Sequence, residues 1–264
     1  MREENEGLEE KKTESEEPPL KDFLFDEADK ERKEKNDKKR KKIFKILSVV
    51  IIIALSVNVW GIFPKLYNLP SIQFLLKSNQ LSNDKDIQEW KKAVVSINGN
   101  NKKGTGFNID PSGTLITNYH VIEGMDPIVV TFPDGQYFAA DVIATSQEYD
   151  AAVLKVEGES LPALKIQKAD DLETKQHVYI IGNPLAHSFI VNDGETSGTI
   201  NSGIPEPALL LDAPVHSGNS GSPVINEHGE VIAVVYATTE DSSDNKRYGL
   251  AIPIEYIIRE LEID

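Results

Sequence analysis

Cysteine is missing from all 264 residues. No disulfide framework and no thiolate metal site can be built without it, so a secreted chain stapled by bridges is excluded. The compartment stays open, because a large core folds outside the cell without bridges. Positive charge is also scarce: 28 Lys and Arg stand against 43 Asp and Glu, a net charge of −15. The whole deficit lies after residue 83. An acidic domain makes a poor partner for nucleic acid, since phosphate binding needs a basic face. Solubility is the plain reading of the acidity. There are only five histidines. Four of them, His177, His187, His216 and His228, show no ligand-like spacing, so neither a metal nor a cofactor is expected. No internal repeat is visible.

Long apolar runs are absent but for one. Residues 1–42 are rich in Glu and Lys and poor in apolar side chains. They bury too little to offset ordering entropy and are expected to be a disordered, charged cytoplasmic tail. The tail ends in the basic run Lys38-Lys39-Arg40-Lys41-Lys42, and the apolar stretch Ile43–Phe63 follows at once. Its 21 residues reach roughly 30 Å as a helix, the thickness of a hydrocarbon core. Trp60 sits where an interfacial aromatic belongs, and Lys45 can snorkel. The basic run places the N-terminus in the cytoplasm. A cleaved signal peptide is disfavoured by the long preceding tail and the lack of a small-residue cleavage site. The expectation is a single-pass signal anchor in the cell membrane, with the rest extracytoplasmic.

Residues 64–84 read as a stalk, partly helical through Ile72–Leu76. Asn83 or Asp84 can cap a short helix over Asp86–Lys92. From Ala93 the texture changes to short strands such as Val94–Ile97, Thr105–Ile109, Thr114–Thr117 and Ile128–Phe132. Turn signals such as Asp110-Pro111-Ser112-Gly113 and Pro133-Asp134-Gly135 separate them. Short strands at regular spacing argue an all-β sandwich or barrel over 85–264. After Pro253, the residues Ile254, Ile257, Ile258 and Leu261 recur at helical spacing, which predicts a closing helix with Pro253 as its first residue.

Three segments carry chemistry. Gly218-Asn219-Ser220-Gly221 sets a serine between glycines in a tight turn, where a hydroxyl stands clear and a carbonyl can approach backbone N–H groups. Thr114–His120 is an apolar strand running into a histidine. Tyr149–Val156 opens a strand on Asp150. A serine needs an imidazole to take its proton and a carboxylate to orient that imidazole. Asp141 is a rival carboxylate, but it lacks the Asp-Ala-Ala-Val-Leu-Lys setting of Asp150.

The order His120, Asp150, Ser220, with intervals of 30 and 70 residues, resembles the trypsin-like serine peptidases of the chymotrypsin fold. The HtrA/Deg group is the nearest match. Gly104-Thr105-Gly106-Phe107, Ile180–Pro184, Thr196–Ile200 and Tyr248–Pro253 extend the likeness from about Lys92 to about Ile258. The resemblance implies two six-stranded antiparallel barrels with the site in the cleft between them. No PDZ module is expected within these residues. His120 would be general base and acid, Asp150 its orienter and Ser220 the nucleophile, with the N–H groups of Gly218 and Ser220 forming an oxyanion hole. HtrA proteins commonly carry Asn-Pro where this chain has His216-Ser217, which bears on the rigidity of that turn.

The position six before the nucleophile would lie at the pocket floor, and here it is Pro214, with no charge for Lys or Arg. Val215, Val234, Val235 and Tyr236 would make a small apolar pocket. The implied partners are protein or peptide substrates, cut by an endopeptidase in extracytoplasmic quality control, with a homo-oligomer left open. The alternative is a non-catalytic binding or sensor protein on the same fold.

Overall fold

The computed structural model describes residues 27–67, 70–167, 173–184, 187–241 and 246–263, which divide after Tyr67 into two units. The first is helix α1, Glu27–Tyr67. Residues 27–42 of the expected tail fall in this helix: Glu, Lys and Arg are strong helix formers, and mixed charges at i,i+4 support one another. Residues 1–26 lie outside the described residues. α1 also contains the expected span 43–63, whose side chains are described as far as Ile52. From Ile43 to Ile52 the large apolar side chains are each half or more exposed. Among the described residues no helix is long and apolar enough to cross a membrane.

The second unit opens with α2, Pro70–Leu81, and α3, Lys85–Lys92. The expected stalk is thus largely helical and joins the domain. Phe74, Lys77, Ser78 and Leu81 fall at i, i+3, i+4 and i+7, one face of a helix, and each of them engages the barrels. Asp84 caps α3 as expected, its Oδ1 accepting from Asp86 N–H at 2.8 Å and Ile87 N–H at 3.3 Å.

Two antiparallel barrels follow. The first holds β1 (Val94–Gly99), β2 (Lys102–Asp110), β3 (Thr114–Thr117), β4 (Val129–Thr131), β5 (Tyr137–Ser146) and β6 (Ala151–Val156). Their order is β1-β2-β3-β6-β5-β4, closed by β1 on β4. The short helix α4, Tyr119–Ile122, interrupts them after β3. The second holds β8 (His177–Gly182), β9 (Ile190–Ile200), β10 (Ala208–Asp212), β11 (Pro223–Asn226), β12 (Glu230–Asp241) and β13 (Lys246–Pro253), closed by β11 on β12. The two-residue strand β7, Lys165–Ile166, pairs parallel to β12 outside this closure. Helix α5, Ile254–Glu260, ends the fold; Pro253 caps it, one residue earlier than expected.

Period-2 alternation explains the doubled apolar residues. Val95, Leu115 and Leu154 fill the first barrel, and Ile180, Leu209 and Ile232 fill the second. Their neighbours Val94, Ile116 and Ile181 face the opposite way, into a third cluster with Phe107, Ile225 and Ile252. That cluster spans both barrels. Each fully buried side chain of this size contributes about 1.5–3 kcal/mol.

Candidate active site

His120 lies in the first turn of α4, one step beyond the strand end that the sequence suggests. The turn can pack tightly because Gly104 on β2 lacks a side chain: a Cβ there would stand 2.5 Å from Val121 Cγ1. Asp150 sits just before β6 with φ of 45°, a left-handed conformation that Asp and Asn adopt more readily than most residues. Buried Asn118 secures it, donating from Nδ2 to the Asp150 carbonyl at 2.9 Å. The Asp150 carboxylate then engages His120 twice. Oδ1 accepts the backbone N–H at 2.9 Å, and Oδ2 lies 2.6 Å from ring Nδ1. The imidazole is 46% exposed and the carboxylate 19%, so the ring is open to a ligand while its partner is mostly covered. Asp141 stands on β5 opposite Lys155, exposed and without a hydrogen bond to His120.

Ser220 comes from the second barrel. The Thr105 N–H donates to its carbonyl at 3.0 Å. Its Oγ donates to the Tyr236 carbonyl at 3.5 Å, a weak bond by length, and among the described residues Oγ makes no hydrogen bond to His120. The preceding turn is ordered: the Asn219 N–H donates to the His216 carbonyl at 3.0 Å. Gly218 has φ of +98°, while Ser217 stays out of the left-handed region. Positive φ at the third position alone defines a type II turn. A Cβ on Gly218 would also meet the Asn183 carbonyl oxygen at 2.4 Å.

Sequence reasoning assigned no role to Thr105 and Asn183. Thr105 is fully buried, and its Oγ1 donates to the Gly218 carbonyl at 2.8 Å. The same oxygen accepts from Asn183 N–H at 3.0 Å and from Asn183 Nδ2 at 3.1 Å. The Gly-Thr-Gly spacing was the available signal: one glycine admits α4 and the threonine between the two clasps the serine loop.

The expected pocket residues separate. Val234 is buried in the cluster between barrels, while Val215 and Val235 are buried inside the second barrel. With at most 5% exposure, these three side chains are core rather than open pocket wall. Pro214 is exposed and Tyr236 partly buried. The Tyr236 hydroxyl is hydrogen-bonded to Ser202. Burial pushes this phenol above its ordinary range, with the Asp150 charge adding to the rise, so it is neutral at physiological pH. A separate hollow of about 810 Å³, lined by Ile109, Ile143, Leu164, Ile166 and Ile263 among others, holds none of these groups.

Residues 104–234 match the family described as trypsin-like peptidase domain. A relative in Halomonas elongata, named as a DegP-like periplasmic serine endoprotease, is 36% identical over 156 residues, covering 58% of this chain and 33% of its own length. A relative of the same name in Chlamydia pneumoniae is 36% identical over 155 residues, covering 57% of this chain and 32% of its own. The chain thus spans about a third of the length of these curated relatives. Among solved structures, the HtrA-type protease AlgW with a tripeptide superposes with a TM-score of 0.61 at 28% identity, covering 66% of this chain and 60% of that one. Rv3671c from M. tuberculosis, in its inactive form, gives 0.59 at 25% identity, covering 69% and 92%. The double-barrel domain of this chain belongs to the trypsin-like serine peptidases of the chymotrypsin fold, in their HtrA-like group.

Proposed function

We propose that this chain is a membrane-anchored serine endopeptidase that cuts unfolded or flexible proteins outside the cytoplasm through His120, Asp150 and Ser220. The observation that carries the reading is the double engagement of Asp150 by His120. With Nδ1 held by the carboxylate, Nε2 is the ring nitrogen left for proton transfer. The Ser220 hydroxyl gives its proton to Nε2 as Oγ attacks the scissile carbonyl carbon, and the carbonyl electron pair moves onto oxygen. That oxyanion is met by the N–H groups of Gly218 and Ser220. The type II turn at Gly218 supports this role. Collapse expels the amine, which takes the proton from His120. Water then attacks the acyl-enzyme by the same route and frees the acid.

The basic run Lys38–Lys42 and the exposed apolar side chains of Ile43–Ile52 support an anchor with a cytoplasmic N-terminus. The periplasmic naming of the Halomonas and Chlamydia relatives supports an extracytoplasmic domain, and a role in protein quality control is part of the same proposal. Asn219 precedes the nucleophile and is neutral, so no ion pair with a freed N-terminus is available, and trimming is not needed for activity.

The test is covalent labelling of the full-length protein with a fluorophosphonate probe. Wild type should label without trimming, and Ser220→Ala should not label while keeping its fold. An unlabelled, folded wild type would point instead to a non-catalytic binding or sensor protein.

A further inference from the structure

The turn that carries Gly218 begins at His216, and His216 is touched from an unexpected direction. Phe74 on α2 meets the His216 ring edge to face, with centroids 5.1 Å apart and planes at 80°, a favoured aromatic geometry. Three further contacts hold α2 in place. Ser78 Oγ, buried, accepts the Val191 N–H at 2.9 Å. Lys77 Nζ lies 2.5 Å from Asp193 Oδ1. Leu81 packs on the cluster between the barrels. One face of α2 is therefore fixed along β9, and its first turns bring Phe74 against the residue whose carbonyl closes the turn before Ser220.

His216 itself is exposed. A proline at this point would fix φ and stiffen the chain. His216-Ser217 lacks that restraint, and an external aromatic contact is a physical substitute for it.

We propose that Phe74 is a positioning residue for the oxyanion turn: the helix α2, which links α1 to the barrels, holds His216 and so keeps the Gly218 N–H aimed for the reaction. This rests on the serine-protease reading of Ser220. Phe74 touches no reacting atom. Its effect is to favour the type II form of the turn over others open to a Ser-Gly pair, and unseating α2 would lower activity without disturbing His120 or Asp150.

The experiment compares Phe74→Ala, Phe74→Tyr and Leu76→Ala in the full-length protein. Leu76 is exposed and serves as the control on the same helix. Phe74→Ala should lower kcat about five- to tenfold with KM little changed, within the range of one aromatic pair. Affinity for a peptide aldehyde, which forms the oxyanion adduct, should fall by the same factor. Affinity for the matching peptide alcohol, which forms none, should hold. Phe74→Tyr should recover wild-type kcat, and His216→Ala combined with Phe74→Ala should lose no more than Phe74→Ala alone.

Hydrogen exchange of the Asn219 amide gives a readout independent of activity, and it should quicken in Phe74→Ala only. Wild-type kcat with unchanged Asn219 exchange in Phe74→Ala would overturn the proposal, as would losses that follow melting temperature alone. An inactive wild type would refute the protease reading, and the exchange data would still decide whether Phe74 orders the turn.

Discussion

Thr105 Oγ1 donates to the carbonyl of Gly218 at 2.8 Å, so a strand of the first barrel grips the turn that precedes Ser220 in the second. The Thr105 N–H adds a second bond, to the Ser220 carbonyl at 3.0 Å. Thr105→Val keeps the shape but strands the Gly218 carbonyl and the Asn183 backbone N–H, while Asn183 Nδ2 keeps its bond to the Val95 carbonyl at 3.0 Å. Each orphaned group costs about 1–3 kcal/mol. The midpoint of thermal unfolding should drop, and kcat should fall about tenfold or more. Thr105→Ser, which keeps the hydroxyl, should be the milder change. Equal losses in both variants would remove the hydroxyl from the account.

Asp150→Asn should be severe for hydrolysis, on the order of 10⁴-fold, because the amide no longer selects the productive imidazole tautomer. The fold should survive, since Asn is also at ease at the left-handed φ of this position. Asp141→Asn, on the outer face of β5, should change activity little. Steady-state rates for the two variants check the assignment. If they fall together, Asp150 is not the orienter.

The anchor is tested by topology. A protease added to intact cells should digest the domain after Pro64 and spare the tail before Ile43. Carbonate washing should leave the protein in the membrane fraction. A mature protein starting near residue 60 would show a cleaved leader instead.

Substrate preference follows from what the cleft lacks. Pro214 offers no carboxylate, so a guanidinium entering there is desolvated without a counter-ion, at a cost of several kcal/mol. A histidine that would favour acidic residues is absent from Ala233–Tyr236. Val215, Val234 and Val235 are buried and the Tyr236 hydroxyl is bonded to Ser202, so the residues proposed for the pocket offer a substrate no charge. A library profile should favour Val, Ala, Leu or Ile on the acyl side of the scissile bond. Dominance of Arg, Lys or Glu would refute this.

The chemistry-bearing residues were legible in the chain because each sits in a local pattern with its own physical reason. Ser220 needs flanking glycines, Asp150 opens an apolar strand, and Asp84 precedes a short helix it can cap. Doubled apolar residues such as Val94-Val95 and Ile180-Ile181 belong to strands buried on both faces. The helix from Glu27 was not legible in the tail because composition says how little a segment can bury, while a helix needs only local propensity and charge pairing.

The sequence by itself determined the all-β texture of the domain and the capped helix α3 and singled out the histidine, aspartate and serine of the proposed site, since these follow from residues near one another in the chain. Only the tertiary structure decided that Val215, Val234 and Val235 are core, that Thr105 and Asn183 clasp the nucleophile loop, and that Phe74 reaches His216. Those contacts join residues 78 to 142 positions apart, and closure of two barrels against each other fixes them. No local periodicity records such closure, because a strand's alternation says which residues share a face and not which core that face will meet.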